Sequence, residues 1–443
     1  MGAKDTVAVG HNMRAAFNIS SVWGTSVDVD SPHADQIAYT GIWMASESMT
    51  ISSPILDNPT IHGTSPMQRI GAVGEKRVTG SLSFNNPYYA GMERLFALLF
   101  GDHQNDFGVG GGSEIPAART ANTAYYGYFL LNNALEGIMG CLVIHKDITT
   151  NAGGGTEADS TIWEFPSVKC DSVTIGWTAG SPVTIEFGLI ASHVLLAENN
   201  QNNANDADDP LAPTYDTDRT LIIPSDFKLF IDDTGTKITA TSATKLDVVS
   251  FSLTISRNLD SQISSGANPD SVTATDPWID EPVPGFTVIN GNFTLNKYTE
   301  KVDANRNDMA SFMDFAQFRA TVAGKQQKAL LGYFESSTTF AANIPNLLGF
   351  ALPVVLFSEM TAPVDGPGRL THSVSFQAFE RPAAYAFASN VPNASEPMHF
   401  FDSLDSSATD VAGEMIVQRP LMFYQNNNGI DPLLNTSGSR FVA

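Results

Sequence analysis

One structural sentence occurs twice in this chain. Val78-Thr79-Gly80-Ser81-Leu82-Ser83-Phe84-Asn85 reads like Ile289-Asn290-Gly291-Asn292-Phe293-Thr294-Leu295-Asn296. Each run follows a strand of one pattern, Met49-Thr50-Ile51-Ser52 in the first case and Leu253-Thr254-Ile255-Ser256 in the second. Each precedes a short amphipathic segment, with Met92, Leu95, Phe96 and Leu99 in one and Met309, Phe312, Met313 and Ala316 in the other. Farther on, Val183-Thr184-Ile185-Glu186-Phe187 answers His372-Ser373-Val374-Ser375-Phe376. A recurring order of strand, strand, helix, strand points to a duplicated β-domain. Duplicated domains of this kind favour symmetric or pseudo-symmetric assemblies, so an architectural role is expected before a catalytic one.

With 443 residues the chain can bury two substantial cores. No apolar run approaches the roughly 20 residues that span a bilayer, so no membrane partner is expected. Met1-Gly2-Ala3-Lys4-Asp5 lacks the charged-then-apolar pattern of a secretory signal, which makes synthesis in a cytoplasm the expectation. Cys141 and Cys170 are the only cysteines, too few for a disulfide framework, and read as small buried hydrophobes. The formal net charge of −23 argues against gripping phosphates, which requires Lys and Arg to displace counterions. It suits a surface that keeps a polyanion from sticking, and equally well simple solubility.

Along the chain, residues 1–35 have weak periodicity, with Val27 to Asp30 as one short strand candidate, and read as an N-terminal arm. A first β-domain is expected over 36–197, an acidic linker over 198–218, a second β-domain over 219–388, and a C-terminal arm over 389–443. Within the first domain, Val78, Leu82 and Phe84 alternate with Thr79, Ser81, Ser83 and Asn85. Tyr88 to Phe100 carries the best helical stripe, and Gly101 suits its end. Gly140 to Ile148 predicts a strand, and Trp163 to Ala191 predicts two or three, with Gly180-Ser181-Pro182 as a turn. Gly108 to Ser113 and Asn151 to Asp159 read as Gly-rich loops. The linker holds Asn199 to Asn203, then Asp206, Asp208 and Asp209, and cannot bury enough apolar surface to order itself.

Chemistry-bearing motifs are missing. The eight histidines are scattered, no HExxH occurs, and there is no GxSxG elbow. Gly324-Lys325 lacks the upstream glycine of a phosphate-binding loop, and Asp206-Ala207-Asp208-Asp209 lacks the glycine and distal Glu of a calcium loop. No catalytic, cofactor-binding or metal-binding residues are therefore assigned. Paired carboxylates on strands remain open from sequence spacing alone. Asp280 and Glu281 beside Trp278 are the place for them, against the plainer reading of a loop whose tryptophan packs on its own domain.

Laid out this way, the chain resembles the tail tube proteins of long-tailed bacteriophages, in their large double-domain form. The resemblance rests on Gly74 to Asn85 followed by Tyr88 to Gly101, on Val168 to Trp177, and on Lys245 to Leu253 leading to Gly291 to Leu295. It spans roughly Ile42 to Phe387. It implies a mainly β fold: two tandem β-sandwich or barrel-like domains, each with a flanking α-helix, between extended arms. It implies rings whose strands join into an inner β-barrel, stacked into a hollow tube that conducts DNA at infection. Fusing two domains implies trimers with pseudo-sixfold symmetry. The implied partners are other copies of the chain, the tape measure, tail terminator and distal tail or baseplate proteins, and DNA that passes without specific binding. The implied location is the virion tail.

The candidate lumen-facing residues are Thr79, Ser81, Ser83, Ser250, Ser252, Thr254, Asn290, Asn292, Thr294, Ser373, Ser375 and Gln377. They are small and neutral, and as a lining they would offer few cations to hold phosphate; ordinary solvent-facing strand positions would look the same. The alternative is a carbohydrate-binding or carbohydrate-active β-sandwich of a virion or cell surface, with Asp280 and Glu281 in its cleft. Other virion β-proteins, such as a capsid decoration or tail-terminator subunit, share these features. Under the tube reading, trimming either arm is expected to impair stacking more than folding.

Overall fold

A computed structural model of the chain describes residues 7–8, 13–20, 22–27, 29, 40–56, 72–73, 76–106, 126–131, 139–149, 160–196, 213–215, 219–233, 244–261, 279–296, 328–341, 344–361, 371–379 and 422–426. The first half contributes β1 (Val7–Ala8), β2 (Arg14–Ser20), β3 (Ser46–Glu47), β4 (Thr50–Ser52), β5 (Ile55–Leu56), β6 (Ala72–Val73) and β7 (Arg77–Asn85). Helix α1 (Glu93–Phe100) runs directly into β8 (Gly101–Asp106), followed by β9 (Tyr126–Leu131), β10 (Met139–Thr149), β11 (Ser160–Thr178), β12 (Thr184–Ala191) and β13 (Leu195–Leu196). The second half holds β14 (Phe227–Asp233), β15 (Thr244–Leu246), β16 (Val248–Ser256), β17 (Val288–Leu295), β18 (Lys328–Ala341), β19 (Ile344–Thr361), β20 (His372–Ala378) and β21 (Met422–Asn426). The fold is mainly β: all but β5 and β6 belong to one 19-stranded sheet, and every pairing in it is antiparallel.

The duplication is written into the strand order. In the first half the spatial order is β2–β10–β11–β12–β7–β4. In the second it is β14–β18–β19–β20–β17–β16. Register fixes the equivalences residue by residue. Ile51 sits opposite Val78 as Ile255 sits opposite Ile289, which supports the sequence pairing of these strands. Bulges recur at matching places, between Cys170 and Ser172 in β11 and between Phe357 and Glu359 in β19. A bulge adds a residue and bends the strand, so its recurrence gives the two long strands the same local bend. One pairing is corrected. Phe84 lies opposite Ile185 and its counterpart Leu295 lies opposite His372, so His372 answers Ile185 rather than Val183. The slip is two residues, which leaves every side chain on its own face.

The long strands β11 and β19 bind the layers together. Their N-terminal parts pair with β10 and β18, their C-terminal parts with β12 and β20. Along its C-terminal part β11 also pairs with β16, from Ser172↔Ser256 to Thr178↔Ser250. The sheet therefore passes from one repeat to the other without a break. The core does the same: the Trp177 and Phe227 rings meet at 5.3 Å, Phe227 and Phe251 at 4.9 Å, and Phe251 and Phe350 at 5.2 Å. A second bridge comes from β21, which pairs with β19 on one side and with β9 on the other.

This revises the arms and the helix. Arg14–Ser20, inside the segment read as an arm, is a strand of the first repeat and the counterpart of β14. Its periodicity is hidden because both faces are covered. Phe17 and Ala15 join the main core, while Ala16 packs with Val29, Cys141, Val143 and Ile162 on the other side. Met422–Asn426, inside the C-terminal arm, is likewise paired strand. Trimming residues 1–35 would thus remove a core strand, and folding is expected to fail before stacking does. Helix α1 begins after Gly91 at φ +93, later than the stripe from Tyr88 implies, and Tyr88 instead bridges to Leu221. The second amphipathic segment, the Gly-rich loops and the acidic stretch from Asn199 to Asp209 lie outside the described residues.

Gly80 and Gly291 hold matching positions on the core side of β7 and β17. A Cβ on Gly80 would lie 2.5 Å from the Met49 Cα, and one on Gly291 would lie 2.3 Å from the Phe376 ring. At Gly176 the nearest atom would be 3.5 Å away. We expect Gly80→Ala and Gly291→Ala each to cost about 1–3 kcal/mol by overpacking. Gly176→Ala should leave the denaturant midpoint nearly unchanged; comparing the three midpoints is the check.

Candidate functional surface

The twelve residues singled out from the sequence lie on one face of one sheet. Across β16, β17 and β20 they form three rows: Ser250, Thr294 and Ser373; Ser252, Asn292 and Ser375; Thr254, Asn290 and Gln377. Thr79, Ser81 and Ser83 stand on the same face of β7, because the register through β12 and β11 preserves alternation from Ser83↔Glu186 to Glu186↔Thr174 to Thr174↔Thr254. The opposite face is mostly apolar, with His372 and Glu47 as exceptions. Val78, Leu82 and Phe84 are buried there with Ile185, Phe187, Val173, Ile175, Leu253, Ile255, Phe293 and Val374. Alternation of this kind is what a sheet with one buried and one open face requires.

The structure adds the middle of the face, which the candidate set omitted. Ser172, Thr174, Gly176 and Thr178 of β11, with Thr184, Glu186 and Gly188 of β12, complete it between the two groups. Their signal was the alternation of Val173, Ile175 and Trp177 against small residues. Ser46, Ser48, Thr50 and Ser52 extend the face beyond β7. Hydroxyls link neighbouring strands: Ser48 with Ser81 at 3.0 Å, Thr174 with Thr254 at 3.2 Å, and Thr294 with Ser373 at 3.0 Å. Such cross-strand pairs each contribute about 0.2–1 kcal/mol and fix the rotamers of the face.

Charge is sparse here. Among the described residues of these strands, the charged side chains that the register puts on this side are Arg77 near one end, Glu186, Glu359 and the buried Lys169. The cations with clear roles sit elsewhere. Lys146 pairs with Glu47 at 2.9 Å and covers the Trp163 ring, and Lys228 pairs with Glu335. A face of hydroxyls, amides and glycines can hydrate and can slide past a polyanion, but it cannot release counterions from one. Among the described residues no group of His, Cys, Asp and Glu is arranged to hold a metal ion.

The other place marked in the sequence has a different geometry. Glu281 accepts from the ammonium of Lys169, whose Nζ also donates to the Pro282 carbonyl at 3.2 Å. Lys169 is buried and lies 6.0 Å from the Trp23 ring centroid, and Trp23 Nε1 donates to the Ile279 carbonyl at 3.0 Å. Glu281 is thus a partner of a buried lysine, clasping residues 279–282 onto the first repeat. Asp280 is exposed, and Trp278 lies outside the described residues.

No known protein family matches the chain, and no curated protein matches it in sequence.

Beneath the face, at the end of β20, the buried His372 stands where the first repeat has Ile185. Burial disfavours its cation and moves its pKa down from the ordinary 6.5. The unfolded chain then binds a proton more readily than the folded one. Stability from this site is complete above pH 6.5 and is lost as pH falls from there toward the folded pKa. His372→Ile should flatten the acid side of the melting temperature profile between about pH 7 and 5 while leaving the neutral side unchanged. Thermal scans of both proteins across that range check it.

Proposed function

We propose that this protein is the structural subunit of a bacteriophage tail tube, forming stacked rings whose lumen conducts DNA. The observation that carries the reading is the continuous antiparallel sheet across the two repeats, with one polar, nearly neutral face. Two repeats already joined edge to edge are an arc of such a ring. Head-to-tail repetition of that contact closes into a ring when the rotation per repeat divides a full turn. Closure also disposes of exposed strand edges, which an isolated β-domain must otherwise protect. With two repeats per chain, three chains give pseudo-sixfold symmetry.

The polar face then lines the channel. Its sparse charge, with carboxylates at Glu186 and Glu359 and the exposed Arg77 near one end, gives DNA little to grip, in keeping with the net charge of −23. The partners in this reading are further copies of the chain, the tape measure, the terminator and the distal tail or baseplate proteins. The protein needs no catalytic residue and no cofactor. Its place is the virion tail after synthesis in the host.

Negative-stain electron microscopy of the purified protein, with mass photometry on the same sample, tests this. Rings or tubes with a central channel and masses rising in multiples of three chains are expected. A single-chain species that persists at high concentration and after seeding with tail-tip complexes would overturn the reading.

A further inference from the structure

Among the described residues, the joint inside the chain has an unfilled copy at each end. By the register equivalences, β4 answers β16, and the C-terminal part of β19 answers that of β11. Inside the chain, β11 and β16 pair. Among the described residues, β4 pairs only with β7, and residues 356–361 of β19 pair only with β20. The two open edges are therefore the two complementary halves of a contact that the molecule has already made once. Exposure carries the same message. Ile255, at the internal joint, is 0 % exposed, whereas its counterpart Ile51 is 39 % exposed.

We propose that these edges join copies of the chain, β19 of one to β4 of the next, in the register Glu359–Ser52, Met360–Ile51, Thr361–Thr50. This deepens the tube reading and rests on it for the closure of the assembly. The register follows from the internal joint, where Ser172 faces Ser256, Val173 faces Ile255 and Thr174 faces Thr254. The residues match in kind. Thr174 and Thr254 share a hydroxyl contact on the polar face, and the proposed joint again sets threonine against threonine. Val173 and Ile255 face each other on the core side, and the register positions of Met360 and Ile51 are again both apolar residues. The recurring bulge beside Ser172 and Glu359 gives both strands the same bend at the start of the contact.

The two joints differ at one end. Asp171, the bulge residue, accepts from Arg257 N at 2.7 Å through its carbonyl and from Leu259 N at 2.7 Å through its carboxylate. Arg257 itself is buried, with Nη1 3.5 Å from the Leu98 carbonyl. The corresponding residues at the open edges are Ser358 and Ser53. The joint between copies therefore rests on the strand ladder and its facing side chains, without the added clasp.

Cysteine cross-linking tests the register. Full-length Thr50→Cys and Thr361→Cys proteins are mixed, oxidised and run on a non-reducing gel, with a Ser52→Cys and Thr361→Cys mixture as the offset control. The native Cys141 and Cys170 are both fully buried and leave the background low. The in-register mixture should cross-link at least about tenfold faster than the offset one, since a disulfide needs Cα atoms within about 7 Å. Electron microscopy of the unmodified protein is read in parallel. Tubes with no in-register preference would overturn the register and leave the tube reading standing. In-register cross-linking of open filaments without closed rings would support the register and sink the tube. Neither assembly nor cross-linking would overturn both.

Discussion

Everything in this molecule depends on one requirement: a strand must find partners for its backbone N–H and C=O groups on both sides. β11 meets it by pairing with β12 on one edge and with β16 of the other repeat on the other. That ladder turns two copies of one domain into a single sheet. It lets their cores merge through Trp177, Phe227, Phe251 and Phe350. It also sets all the small polar residues on one side, because cross-strand register preserves alternation from strand to strand. Without it each repeat would carry an extra open edge and a separate, smaller core.

The same requirement separates structural polar groups from those of the open face. Two buried charges are tied down, Lys169 to Glu281 and the Arg257 guanidinium to the Leu98 carbonyl, because an ion left unpartnered in a core costs several kcal/mol. The polar face carries hydroxyls and amides that hydrate freely. Glu281, which in the sequence stood beside Trp278 and Asp280 as a carboxylate with catalytic potential, is half of a structural ion pair. Among the described residues, then, charge serves as clasps and is sparse on the broad face that the tube reading assigns to the channel.

Legibility in the sequence followed burial asymmetry. Where one face is buried and the other open, as in β7, β16, β17 and β20, alternation showed both the strand and the side each residue takes, and all twelve candidate residues share a face. Where both faces are buried the signal vanished. Arg14–Ser20 reads as a featureless arm because Ala15 and Phe17 enter one cluster while Ala16 enters another. Alternation was also blind to a slip of two, so Val183 rather than Ile185 stood against His372 until the pairing with Phe84 and Leu295 decided it. Helix α1 was legible as an apolar stripe. Its start was not, because Gly91 in the left-handed region and the bridge from Tyr88 to Leu221 are tertiary choices.

The sequence by itself determined that the chain is a duplicated, mainly β protein with one small, neutral strand face, since period and residue size are local properties. Only the tertiary structure decided which strands are neighbours. Pairing β11 with β16, placing β2 in the core, and giving β4 and residues 356–361 of β19 a single partner strand each among the described residues are long-range matters of hydrogen-bond register. Any antiparallel neighbour would satisfy a strand's own pattern, and which one arrives is settled by how the bulges, the long bent strands and the shared core fit together.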